Sequence, residues 1–156
     1  FMCVFIDQFQ LRGLEGETAL LSHGDLLCTH DASYQRYRRI VHHRAVQWLW
    51  RHLPCFIREK EARRLRERSQ SETRRKPADW TDVNPEAVEA LLNQAGASHL
   101  IHGHTHRAAT HQHTNGIRHV LPDWHDGRGG YLVYDDAGWR LCALDGSPIN
   151  NQVIDL

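Results

Sequence analysis

The ten residues Ser98-His99-Leu100-Ile101-His102-Gly103-His104-Thr105-His106-Arg107 constrain the fold of this chain more than any other stretch. A short apolar run closed by a glycine reads as a buried strand whose end meets solvent, so His104 and His106 are expected on the loop at its tip. Layered α/β proteins gather their ligands at such tips. In an extended segment residues two apart project to one side, so the two imidazoles would converge. Neutral imidazole ligates divalent transition-metal ions, and Gly103 lets the backbone approach closely, which makes the pair a candidate metal site. The competing reading is chance, because a chain with thirteen histidines also places His111 and His113 two apart. His102, ahead of the glycine, is expected to be a structural or supporting group.

A second strand ends in the same way. Residues 18–22, apolar at 19–21, read as a strand that stops at His23-Gly24-Asp25. Alone, His23 reads as structural; two strand tips lying side by side would bring His23, His104 and His106 together. Residues 3–7 and 8–11 suggest an opening strand, followed by a turn over residues 13–16. Asp31 is placed to cap a helix starting near Ala32, and Val41, Ala45, Trp48 and Leu49 continue the helical spacing until Pro54. A second helix is expected over residues 56–71. Asp82-Val83-Asn84-Pro85 caps a helix over residues 86–94, with Val88, Leu91 and Leu92 as its apolar face and Gly96 as its stop. That helix feeds directly into the focal strand, as in a layered α/β protein. Further strands are expected over residues 117–121, 130–134 and 139–144, with turns at Asn115-Gly116 and Asp136-Ala137-Gly138. The tail after Gly146 carries no signal.

Charge balances overall, with Lys+Arg and Asp+Glu both 19 in 156 residues, but its distribution is uneven. Arg58, Lys60, Arg63, Arg64, Arg66, Arg68, Arg74, Arg75 and Lys76 form the basic concentration, beside Trp48, Trp50, Leu53, Phe56 and Ile57. Such a mixture suits an anionic membrane surface or an amphiphile with a phosphorylated head. It equally suits a solvated helix pair with arginines outside and tryptophans in its core. Nucleic acid is disfavoured by the interspersed glutamates and the lack of a reading motif. Cys3, Cys28, Cys55 and Cys142 are scattered, which suggests neither a disulfide framework nor a zinc knuckle. No apolar run approaches the ~20 residues that span a bilayer, and the chain reads as a soluble, cytoplasmic protein.

Gly103-His104-Thr105-His106 resembles the closing metal motif of the calcineurin-like metallophosphoesterases, and His23-Gly24-Asp25 resembles their preceding histidine motif. The likeness is closest to the branch that acts on a UDP-linked diacyl sugar. It is carried by residues 21–29, Asp31, Tyr34-Gln35, the Arg-rich helix leading to Ser69, Lys76, residues 81–84 and 100–107, and Val120-Leu121 with Asp123-Trp124. The resemblance implies an α/β fold: a partial metallophosphoesterase core over residues 1–30 and 77–156, built as a two-sheet β-sandwich flanked by helices. Residues 31–76 would be an inserted helical cap that holds acyl chains.

The same resemblance implies hydrolysis of the substrate's pyrophosphate, giving UMP and a lipid monophosphate in lipid A biosynthesis, on the cytoplasmic face of the inner membrane. It implies two manganese ions, with His23 and His104 on one and His106 on the other. Substrate contacts would come from Asp31, Ser69, Thr73, Lys76 and His104, with Tyr34 close by. The family's earlier Asp-x-His, Gly-Asp and Gly-Asn-Arg/His-Asp motifs do not occur ahead of His23; Asp7 resembles the first only superficially. Thr73 stands where asparagine is common, and Pro122 where glycine usually precedes Asp-Trp. The expectation is therefore a carboxy-terminal portion of such an enzyme, lacking an amino-terminal segment and incomplete for catalysis alone. The alternatives are a non-catalytic module for lipid or anionic surfaces, or another metallophosphoesterase.

Overall fold

In the computed structural model, which describes residues 8–12, 16–73, 82–149 and 153–155, the focal run becomes a central strand. The elements are β1 (Gln8–Arg12), β2 (Thr18–Ser22), α1 (Ala32–Val41), α2 (Arg44–His52), α3 (Cys55–Thr73), α4 (Pro85–Ala95), β3 (His99–His102), β4 (Ala109–His113), β5 (Gly116–Val120), β6 (Gly130–Asp135), β7 (Gly138–Ala143) and β8 (Val153–Asp155). Contacts divide the chain into two units, residues 1–27 with 83–156, and residues 28–82. The observed class is α/β.

The first unit is built on a six-stranded mixed sheet in the order β1-β2-β3-β5-β4-β8, with β6 and β7 as a separate antiparallel pair. β3 is parallel to both β2 and β5. All four of its residues are buried, as a parallel strand covered on both faces requires. Alternation sorts the side chains: Leu100 and His102 share one face, and His99 and Ile101 the other. Beside the sheet, α4 begins at Asn84, whose side chain accepts the Glu86 N–H at 2.9 Å. Pro85 follows at the first helical position, and Gly96 ends the helix in the left-handed conformation. Val88 and Leu92 are fully buried, as the helical spacing predicts.

On the sheet, polar side chains form an ordered chain of which His99, His119 and Thr110 are buried. The Glu17 carboxylate can only accept, so His99 Nε2, 3.4 Å away, carries a proton towards it. His99 Nδ1 then accepts from His119 Nε2 at 3.1 Å, and His119 Nδ1 accepts from the Thr110 hydroxyl at 3.2 Å. Trp139 of β7 joins by donating its indole N–H to Glu17 at 3.0 Å, with its ring against both histidines. Every member is satisfied with both imidazoles neutral. Burial pushes the pKa of His99 down and that of His119 down to about 4.

Several local expectations are corrected. The helical spacing from Ala32 to Pro54 is not one helix: the chain breaks at His42 and His43, and the His43 ring nitrogen accepts the Ala45 N–H at 3.3 Å to start α2. A histidine cap is not among the usual start signals. β4 carries Thr110, His111, Gln112 and His113 and has no apolar alternation; it forms because β5 and β8 hydrogen-bond it on both sides. The tail after Gly146, which carries no sequence signal, includes β8. β5 ends at Val120 and β7 at Ala143, each one residue earlier than expected. The expected strand over residues 3–7 lies outside the described residues.

The second unit contains α1, α2 and α3. Within it Ile40, Trp48, Leu49 and Phe56 are all more than half exposed, so the expected alternative of tryptophans packed in a helical core is not what forms around Trp48. Among the described residues no helix is long and apolar enough to cross a membrane. Cys28 and Cys142 are buried and Cys55 exposed, all as free thiols.

Candidate metal centre

Two strand tips build the site. β2 and β3 are paired in parallel with Leu21 opposite Ile101 and Ser22 opposite His102. Both chains therefore leave the sheet at the same level, one into His23-Gly24-Asp25 and the other into Gly103-His104-Thr105-His106. The His23 and His104 rings come within 5.0 Å, centre to centre, tilted by 60°. An imidazole nitrogen sits about 2.1 Å from a bound divalent ion, so two rings roughly 100° apart on one ion have centres about 5 Å apart. The observed pair fits that arrangement.

Asp25 supports it. Its carboxylate is buried and lies 3.2 Å from His23 Nδ1. A carboxylate on one ring nitrogen of a ligating histidine fixes the ring and leaves the other nitrogen, here Nε2, for the ion. Sequence reasoning did not assign Asp25 a role, although its place two residues after His23 was the available signal.

His106 is held differently. Its Nδ1 lies 3.6 Å from Asp123 Oδ1, with both side chains more than half exposed. Neither His104 nor His106 is in an extended segment: their φ values are 61° and 55°. Period-two alternation therefore does not set their directions, and the convergence expected from an extended segment does not follow. Among the described residues no group of three or more His, Cys, Asp or Glu side chains is gathered closely enough to hold a metal ion. The residues present thus fit part of a coordination shell, two imidazoles and a supporting carboxylate.

Gly24 is where the first tip packs against His102. Its φ is +99°, and a Cβ there would stand 2.7 Å from His102 Nδ1 and 3.1 Å from the ring carbon beside it. Gly24→Ala is expected to cost about 2 kcal/mol or more, from the backbone conformation and the forced contact together. Urea unfolding checks it; unchanged stability would mean that the tips do not pack on His102 as described.

The remaining candidates lie in the second unit. Asp31 caps α1 as expected: its Oδ1 accepts the Tyr34 N–H at 3.0 Å and the Ser33 hydroxyl at 2.7 Å. Tyr34 is half-buried on α1. Ser69 and Thr73 are on α3, but their side chains lie outside the described residues, as does Lys76 altogether.

No family model matches the chain. It is 46% identical over 136 residues to the UDP-2,3-diacylglucosamine hydrolase of Pseudomonas fluorescens strain SBW25, a match covering 85% of this chain and 54% of that protein. The protein of the same name from Haemophilus ducreyi is 44% identical over 133 residues, 85% of this chain and 57% of its own length. That of Pseudomonas syringae pv. syringae is 41% identical over 150 residues, 94% and 60%. The chain spans a little over half the length of these curated relatives.

Proposed function

Because the chain belongs to the family of the UDP-2,3-diacylglucosamine hydrolases, we propose that its protein cleaves the pyrophosphate of UDP-2,3-diacylglucosamine to UMP and 2,3-diacylglucosamine 1-phosphate, a step of lipid A biosynthesis. The observation that carries this reading is the meeting of the His23 and His104 rings across two parallel strand tips. In this reading the mixed sheet and the β6–β7 pair belong to a metallophosphoesterase core, and α1 to α3 to a cap for the lipid.

His23 and His104 would hold one manganese ion and His106 the other, with further ligands supplied by the stretch of the relatives that this chain does not span. Bound divalent ions lower the pKa of a water and neutralise charge developing on phosphoryl oxygens. The chain's own groups do the rest. Asp25 keeps His23 oriented, and the Lys76 ammonium would balance the diphosphate charge. Asp31, pinned by its capping bonds, would present a carboxylate in a fixed direction, with Tyr34, Ser69 and Thr73 as further contacts.

The cap's surface supports a lipid substrate and a peripheral contact with the inner membrane from the cytoplasm. In α1 and α2 a groove of about 330 Å³ is lined by Arg36, Arg39, Ile40, His43 and Val46, cationic heads beside apolar carbon. Arginines favour phosphate, and the exposed Trp48, Leu49 and Phe56 favour acyl chains.

The test uses the full-length protein with UDP-2,3-diacylglucosamine, following UMP release. Turnover that needs manganese, stops with chelator and returns on adding manganese is expected. No turnover in the presence of manganese, with retained binding to anionic vesicles, would overturn the hydrolase in favour of a non-catalytic lipid-binding module.

A further inference from the structure

We infer that Arg118 and His102 form a buried positioning pair that holds the His104 loop in the conformation its site requires. The inference rests on reading His23 and His104 as ion ligands. Arg118 is in β5, opposite Leu100 of β3, and only 3% of it is exposed. A buried guanidinium is costly unless its donors are used, so this sheet position would otherwise be apolar. On the same face, one alternation further along, stands His102, 1% exposed.

The hydrogen-bond chemistry fixes the direction of the pair. Arg118 Nη1 lies 3.4 Å from His102 Nε2, and a guanidinium has donors only. His102 Nε2 must accept, so the ring proton is on Nδ1. That N–H donates to the Gly103 carbonyl at 2.9 Å. The same carbonyl accepts the Thr105 N–H at 2.7 Å, closing a three-residue turn with His104 at its centre.

A three-residue turn with a left-handed centre is a strained form, and His104 occupies it with φ 61°. A side chain stays in such a conformation only when its surroundings over-determine it. Two donors on one carbonyl provide that determination. The His102 ring also lies where a Cβ on Gly24 would be, so one side chain braces both tips. Arg118 sets the tautomer, His102 sets the turn, and the turn aims His104 at His23.

The test compares the full-length protein with its Arg118→Met and Arg118→Lys variants in manganese titrations and in nitrogen NMR of the metal-free histidines. In the unsubstituted protein His102 is expected to carry its proton on Nδ1. Arg118→Met is expected to weaken manganese binding by roughly 10- to 100-fold, the usual effect of removing a group that orients a ligand, with a shift of the His104 ring signal. Arg118→Lys, which keeps a donor and a charge, is expected to recover most of that loss.

A proton on Nε2 of His102, or unchanged manganese affinity in a folded Arg118→Met, would overturn the inference. If Arg118→Met does not fold, His102→Asn and His102→Leu decide the matter. The asparagine amide can still donate to Gly103, so it should bind manganese at least tenfold more tightly than the leucine variant; equal affinities would overturn the pair's role. Should the unsubstituted protein bind no manganese, the metal reading of the site fails, while the tautomer measurement still judges the Arg118–His102 pair.

Discussion

Replacing His104 by glycine is expected to abolish turnover of the full-length protein while leaving it at least as stable as before. The imidazole would be one of the metal's ligands, and even groups that merely support a ligand are worth about 10- to 100-fold, so a loss beyond a hundredfold in kcat/KM is expected. Stability should move the other way. His104 sits at φ 61°, where a side chain is strained and glycine is not, so the substitution relieves on the order of 1 kcal/mol. His104→Ala keeps the strain, and its fold should be nearly unchanged. Thermal unfolding and steady-state kinetics on the same samples check both halves. Retained turnover would remove His104 from the site, and a large drop in melting temperature without metal would make it a structural residue.

The second large effect is acid sensitivity of the first unit. His119 is buried and stays neutral down to a pKa of about 4, whereas in the unfolded chain it takes a proton near its ordinary 6.5. Between those values the unfolded state binds a proton that the folded state refuses. Stability is therefore complete above about pH 6.5 and is lost as the pH falls towards 4. The gap corresponds to on the order of 3 kcal/mol for His119 alone.

His99 and His113 push in the same direction. Burial lowers both, and for His113 the neighbouring Arg118 charge lowers it further, while Glu17 and Glu89 respectively oppose. Urea midpoints at pH 7.5 and pH 5 should differ strongly in the unsubstituted protein. In His119→Gln, which can hydrogen-bond but does not titrate, the difference should shrink. An identical pH dependence in the two proteins would mean that the stacked histidines are not what acid attacks.

The layout of the first unit was largely legible. Asn84, Pro85 and Gly96 act on the backbone within a few residues of themselves, which is why α4 could be read with its ends. Leu100 and Ile101 announced β3, and both histidine-glycine tips stood out as places where apolar strands stop. β4 was not legible, because Thr110, His111, Gln112 and His113 have no apolar period and owe their strand to partners on either side. The break at His42 and His43 was hidden for the opposite reason: the apolar spacing runs on through it. Arg118 gave no signal at all, since a single arginine in an expected strand reads as a solvent-facing residue, and only its 3% exposure shows otherwise.

The residues alone therefore reach local outcomes: which segments are strands and helices, where they stop, and that imidazoles stand at two of the stopping points. Those outcomes follow from side-chain period, capping and turn chemistry, which act over one or two turns of chain. It takes the folded sheet to show that β2 and β3 lie side by side in parallel and that Ser22 faces His102, which brings the His23 and His104 rings within 5.0 Å. The fold alone decided the left-handed set of His104 and the placing of two buried, neutral imidazoles, His99 and His119, between the Glu17 carboxylate and Thr110. Pairing register, hydrogen-bond direction and loss of water depend on groups far apart in the chain, and no short-range pattern encodes them.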